Sequence, residues 1–223
     1  MSALTMGSQR LLQIAVTHRP ERLLSAMRRA GAVGRRESLD WVSPLAAEEY
    51  REFKDAAALE KLRLIGKLRV PLSDFWPSRG CVWDGLALAA TDRPVLVEAK
   101  AHIPEAASPP SQASEKAMLL IIRSLTLARR HYAPRSKADW HKVFYQYANR
   151  LAYQFYLRQL NGIDSSLVFL EFTNAADMDG PTSEQEWNGA TRLIHHLLGL
   201  PADLTKFGIF HAYLDARELL DAA

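Results

Sequence analysis

The chain has 223 residues, 48% hydrophobic and 24% charged, with a formal net charge of +3. That balance fits a folded domain and excludes a disordered or fibrous chain. The single Cys81 excludes an intramolecular disulfide and fits a reducing compartment. The strongly apolar run 117–122 is far shorter than the ~20 residues of a membrane span, and Gln13 interrupts LLQIAV with no cleavage site after it; no membrane contact and a cytoplasmic location are expected.

In chain order, QRLLQIAVTHRPERLLSAMRRA predicts two short helices divided at Pro20, whose ring ends the first. Gly31 and Gly34 mark a basic loop. Residues 1–43 are thus expected as a helical extension, and 44–223 as the main domain. Ser43-Pro44 reads as an N-cap and first-turn pair, opening a helix to about Leu64 with Leu45, Tyr50, Phe53, Ala57 and Leu64 inward. DFWPSRG is a turn. Two strands, 81–89 and 95–102, form a hairpin. A loop over 103–114 leads to helices over 115–131 and 141–160, the second ended by Asn161-Gly162. SLVFLEFT is a strand. Ser183 and Glu186 make a capping box for a helix ended by Gly199 and Pro201. KFGIFHAYL is a strand, and Asp215 with Glu218 caps a last short helix. The alternation predicts an α/β fold, a sheet with helical cover.

Charge is unevenly spread. Residues 116–158 carry nine Lys or Arg against Asp139 alone, whereas 159–223 carry ten acids against three basic residues. Such asymmetry suits a polyanion-binding face; two solvated helix faces of differing composition explain it equally simply.

The informative stretch is WDGLALAATDRPVLVEAKAH, residues 83–102. Side chains alternate along a strand, so Leu96, Glu98, Lys100 and His102 share one face, and Val95, Val97, Ala99 and Ala101 share the other. A turn of Thr91 to Arg93, centred on Asp92, sets Asp84 opposite Lys100 and Leu86 opposite Glu98. An odd-length connection is required, since a one-residue slip sends Asp84 to the other face. Two carboxylates held together repel unless a cation separates them. Their hard oxygens suit Mg²⁺ or Mn²⁺, and Lys100 offsets charge on a phosphoryl transition state. A surface salt bridge is the plainer alternative.

Asp84, a short hairpin and Glu98-Ala99-Lys100 after an apolar strand resemble the PD-(D/E)XK nuclease superfamily. The motif covers 84–100, with a wider topology over about 44–175, and departs from the family in carrying Trp83 rather than proline before Asp84. The pattern WD…VEAKAH…YQYANRLA also resembles a bacterial protein family, without implying a substrate. The resemblance implies a restriction-endonuclease-like fold, a central mixed β-sheet flanked by helices, here with extra N-terminal helices. It implies a divalent-metal-dependent nuclease acting on nucleic acid, DNA first, in which Asp84 and Glu98 bind Mg²⁺ or Mn²⁺, Ala99 lends its carbonyl and Lys100 is catalytic. The alternative is an inactive module of that fold that binds nucleic acid or a protein partner. A homodimer is left open. A further acid on the first helix is expected from among Glu48, Glu49, Glu52, Asp55 and Glu60, with Glu60 chosen.

His102, beyond Lys100, is a candidate for contacting metal or phosphate. On the helix VFYQYANRLAYQFYLRQL, Phe144, Ala148, Leu151 and Phe155 make an apolar face, and Gln146, Asn149, Arg150 and Tyr153 make a polar one suited to phosphate contacts and base stacking. Gln146 is the first choice for contact with the site. The adjacent His195 and His196 point different ways and are not expected to form a metal pair.

Overall fold

A computed structural model describes residues 7–220. The expected break at Pro20 is present: α1 (Gly7–His18) stops before it and α2 (Pro20–Arg29) starts on it. Proline has no N–H to lose at a first helical position, and Glu21 and Arg28–Arg29 oppose the helix dipole at the two ends of α2.

The segment expected as a helical extension also supplies a strand, β1 (Leu39–Ser43). The long helix expected over 44–64 is replaced by a 3-10 turn, Ala46–Glu48, a short strand β2 (Phe53–Lys54) and a helix α3 (Asp55–Lys61). Glu49 and Tyr50 take φ of 53° and 57°, in the left-handed region that no α-helix passes through. A four-residue helix α4 (Leu72–Phe75) precedes the hairpin.

The predicted strand 81–89 is divided into β3 (Val82–Trp83), paired with β2, and β4 (Gly85–Ala89), with Asp84 at the break. A Cβ on Gly85 would lie 2.9 Å from the Trp41 ring, so glycine lets β4 start against β1. After β5 (Arg93–Lys100) come α5 (Glu115–Tyr132), α6 (Tyr145–Phe155) with a π-helical turn to Leu160, β6 (Ser166–Thr173), α7 (Glu184–Leu198), β7 (Ile209–Asp215) and α8 (Arg217–Leu220). The Ser183–Glu186 capping box and the left-handed Gly199 stop of α7 are present as expected.

The main sheet is mixed, in the order β1-β4-β5-β6-β7, antiparallel up to β5 and parallel beyond it. Helices cover both faces. Val95, Val97, Ala99 and Ala101 meet Leu11, Leu12, Leu23 and Met27 of α1 and α2. Full burial of each such large aliphatic contributes roughly 1.5–3 kcal/mol relative to exposure, which ties the N-terminal helices to the sheet. The other face, bearing Leu86, Leu96, Leu167 and Phe169, packs against α5, α6 and α7.

The hairpin connection has an odd length, Ala90–Asp92, as the site requires, but it is centred on Thr91 (φ 63°) rather than Asp92. Leu86 therefore pairs with Leu96, not Glu98, and Gly85 with Val97. The face of every residue is preserved. The register puts Asp84 level with Glu98 instead of Lys100.

Candidate active site

Glu98 is the centre of the cluster, with only 1% of its side chain exposed. Its Oε1 accepts from Lys100 Nζ at 2.5 Å and its Oε2 from Arg150 Nε at 2.6 Å. Burial alone would push this carboxyl up, but the two cations outweigh it and hold it below the usual range.

Asp84 takes over where the β4–β5 ladder stops: its Oδ2 accepts the Ala99 N–H at 2.7 Å. Burial, then the Glu98 charge, push its carboxyl up to about 7 despite Lys100 and Arg150. Asp84, Glu98 and Lys100 therefore come together on one side of the sheet, with Val97 and Ala99 packed on the other.

The polar face of α6 is not solvated. Residues Tyr147 to Phe155 are all buried, because the sheet, β3 and α5 enclose the helix. Arg150 was expected to meet phosphate. It is turned inward, donates to Glu98, to the Val82 carbonyl at 2.7 Å and to Asn149 Oδ1 at 3.1 Å, and lies over the Trp83 ring at 4.7 Å. Asn149 also accepts from the Cys81 thiol, which burial pushes up and renders inert. Tyr153 is buried edge-on against Trp83, so it offers no stacking surface. Gln146 alone of the four is half-exposed, at the mouth of the site.

His102 lies past the end of β5, and its Nδ1 is 2.8 Å from Glu105, whose other oxygen accepts the Ala101 N–H. The ring is thus engaged by Glu105, and His102 does not line the cleft. Glu60 is exposed on α3 and does not line the cleft. The acid that does is Glu52, hydrogen-bonded by Gln9 at 2.9 Å, its carboxyl pushed up by burial and, further, by Glu98. Of the other acids considered, Asp55 caps the Arg79 and Gly80 N–H groups and Glu48 pairs with Lys61.

Two spaces meet at the cluster. An open cleft of about 650 Å³ is lined by Glu52, Asp84, Arg79, Tyr145, Gln146 and Arg150. An inner cavity of about 20 Å³ is lined by Glu98, Lys100, Tyr147 and Glu171, with Gln146 lining both spaces. The cleft is large enough for a nucleotide-sized ligand; the cavity holds about one water.

Behind the inner cavity lies a hydrogen-bonded chain that the sequence reading missed. Glu171 pairs in register with Lys100. Its oxygens are 3.1 and 3.2 Å from His211 Nδ1. Tyr147 Oη is 3.2 Å from His211 Nε2 and 2.8 Å from His195 Nε2. The available signal was a lone acid in SLVFLEFT, the same anomaly that marks Glu98 in VLVEAK.

Comparison with family models, curated proteins and solved structures finds no match to this chain.

The donor set suits a small divalent ion better than a thiophilic one, since carboxylate oxygens are its only anionic ligands. No group of three His, Cys, Asp or Glu among the described residues is arranged to hold a metal. The pair Asp84 and Glu98 is nonetheless compatible with Mg²⁺, which keeps several waters and needs few protein ligands. A carboxylate has about four acceptor sites, of which Lys100 and Arg150 use two on Glu98.

Proposed function

We propose that the protein is a divalent-metal-dependent nuclease of the restriction-endonuclease-like type, hydrolysing phosphodiester bonds in nucleic acid, DNA first. The observation that carries this reading is the pair of buried carboxylates, Asp84 and Glu98, beside Lys100 at an open cleft, where burial first and the Glu98 charge second push Asp84 up to about 7. A cation between the two carboxylates relieves their repulsion.

Charge balance supports the same reading. Glu52, Asp84 and Glu98 face Lys100 and Arg150. With every group ionised the cluster carries one excess negative charge. A divalent ion makes it one positive, and a phosphodiester anion then neutralises it. Mg²⁺ or Mn²⁺ at Asp84 and Glu98 would supply an activated water and stabilise phosphoryl charge. Lys100, held on Glu98, places a fixed positive charge beside that position. Arg150 positions Glu98 from behind.

A second reading is a nuclease-fold module without catalysis, binding nucleic acid or a protein partner. The Arg150 guanidinium favours it, since Glu98 already carries a cation on each oxygen.

Calorimetry with Mg²⁺ and Mn²⁺ separates the two readings, followed by plasmid, linear, branched and single-stranded substrates. The nuclease reading expects metal binding that Asp84→Ala removes, and cleavage that Lys100→Ala abolishes while the fold stays intact. Cleavage by Lys100→Ala at the wild-type rate would overturn the assignment. Metal-independent nucleic-acid binding without cleavage would establish the module.

A further inference from the structure

Two segments line the cleft from outside the sheet, and both are tied to α6. The first is a strap over residues 108–112. Ser108 Oγ accepts the Gln146 N–H at 2.8 Å, and the Ser111 N–H donates to the His141 carbonyl at 3.3 Å. Pro109 and Pro110 lie between those anchors, exposed, and have no N–H to satisfy. The second segment covers residues 79–82. The Cys81 thiol donates to Asn149 Oδ1 at 3.4 Å, and Arg150 Nη2 donates to the Val82 carbonyl at 2.7 Å.

The anchors set the width of the cleft at its base. From Gln146 to Asn149 and Arg150 is about one turn of α6, roughly 5–6 Å along the helix. A duplex, whose major groove alone is about 12 Å wide, does not settle between segments so spaced. A single extended strand does. The reacting groups are recessed as well: Glu98 and Lys100 have 1% and 14% of their side chains exposed. A phosphate has to enter the cleft to meet them.

The lining chemistry points the same way. Its cations are Arg79, which is exposed, and Arg150, which is enclosed and paired with Glu98. One accessible cation is few for a duplex-binding trough, in which each neutralised phosphate takes a Lys or Arg. The rim is apolar instead. Val82, 39% exposed, stands on one segment, Pro109 and Pro110 on the other, and half-buried Tyr145 at the start of α6. Single exposed apolar side chains are ordinary, but these four surround one opening. An unpaired base has free faces that pack on aromatic and apolar side chains, whereas in a duplex those faces are already stacked.

We propose that the cleft admits an unpaired strand of nucleic acid, with a phosphate toward Asp84 and a base packed on Tyr145, Val82 and the Pro109–Pro110 strap. The substrate is then a single strand, or the unpaired end or flap of a duplex, and an intact duplex is excluded. This rests on reading the cleft as a nucleic-acid site; it does not require that the site cleave.

Fluorescence anisotropy in Ca²⁺ tests the preference in the wild-type protein. The probes are a short single strand, the same sequence as a blunt duplex, and that duplex with a short unpaired end. The single strand and the unpaired end are expected to bind about tenfold or more tighter than the blunt duplex, the size of a base-stacking contribution. A 2-aminopurine in the strand should change its emission on binding, as its stacking partner changes from a neighbouring base to the protein. Blunt duplex bound as tightly as single strand, no binding of either, or an unchanged 2-aminopurine signal would overturn the proposal. Deoxyribose and ribose strands run side by side assign the sugar.

Variants locate the base. Tyr145→Ala is expected to weaken single-strand binding about fivefold or more and Tyr145→Phe to keep it, with duplex affinity unchanged in both. Val82→Ser, a surface change that leaves the Arg150 contact with the Val82 carbonyl in place, should weaken the single strand in the same selective way. Full single-strand affinity in both Tyr145→Ala and Val82→Ser would overturn the assigned packing. Cleavage is read separately. Selective single-strand binding without cleavage overturns the nuclease reading and leaves the strand preference standing. Internal cleavage of blunt duplex as fast as of single strand overturns the preference and leaves the nuclease reading standing.

Discussion

Arg150 Nε and Glu98 Oε2 are 2.6 Å apart, with 4% and 1% of their side chains exposed, so α6 is fastened to the central strand by a buried ion pair. Taking such charges out of water costs several kcal/mol per ion, and only good geometry repays it. Here the guanidinium also meets the Val82 carbonyl, Asn149 and the Trp83 ring. Breaking the pair leaves a buried charge with fewer partners. Arg150→Met is expected to cost about 3–5 kcal/mol in urea denaturation. Adding Glu98→Gln should recover part of that loss, because the two positions couple. Arg150→Lys should fall in between, lacking the fork that serves three acceptors. The folded-state carboxyl of Glu98 lies below its ordinary value, so its contribution is present above the unfolded pKa and is lost as pH falls through the lowered one.

Tyr153 packs against Trp83, and its hydroxyl has no hydrogen-bond partner among the described residues. An unsatisfied buried hydroxyl is a net cost. Tyr153→Phe is therefore expected to be neutral or to stabilise by up to about 1 kcal/mol in thermal or urea melts. Nucleic-acid affinity should stay the same. A tenfold loss of affinity would restore Tyr153 as a stacking platform.

Salt dependence of binding belongs to cleft-lining side chains. Arg79 is exposed on the cleft wall, whereas Arg150 is enclosed. Each phosphate contact contributes roughly 0.7–0.9 to the slope of log K against log salt. Arg79→Gln should flatten the slope by about one such step in Ca²⁺, read by fluorescence anisotropy. An unchanged slope would place the backbone elsewhere, and the exposed Lys116, Arg123 and Arg130 of α5 would be next.

Local rules explain what the sequence disclosed about this site. Strand alternation is local, so Glu98 and Lys100 could be placed opposite Val97 and Ala99 without knowing the fold. The face of Asp84 followed from an odd connection. Its register did not, because the left-handed Thr91 moves the turn centre by one residue. Helical periodicity told which α6 residues share a face, but not which face meets the sheet. Arg150 was consequently read as a phosphate contact when it is the inner partner of Glu98. Glu52 was passed over because Phe53 was read as helical, and the strand pairing of Phe53 with Trp83 is a long-range contact. Glu171, His211, Tyr147 and His195 come from four elements and meet only when the chain folds.

Asp84 gives the protein a pH dependence opposite in sign to that of Glu98. Burial and the Glu98 charge raise its folded-state carboxyl from 3.8 to about 7. Between those values the folded state binds more protons than the unfolded state, so stability falls as pH rises. Roughly 1.4 kcal/mol per pH unit would set an upper bound of about 4 kcal/mol. The cleft is open to solvent, so about 1–2 kcal/mol is the expected size after screening. Asp84→Asn keeps an oxygen for the Ala99 N–H and removes the charge. It should therefore match the wild type near pH 4 and become more stable than it at pH 8. Mg²⁺ or Mn²⁺ should narrow that gap at pH 8, because a cation stabilises the ionised carboxylate of the wild type and has less purchase on the amide. Melting curves at the two pH values, with and without the metal, measure all four terms. Equal wild-type and variant stability at pH 8 would show that neither burial nor the Glu98 charge holds the Asp84 carboxyl up, and would remove the main support for a metal at this site.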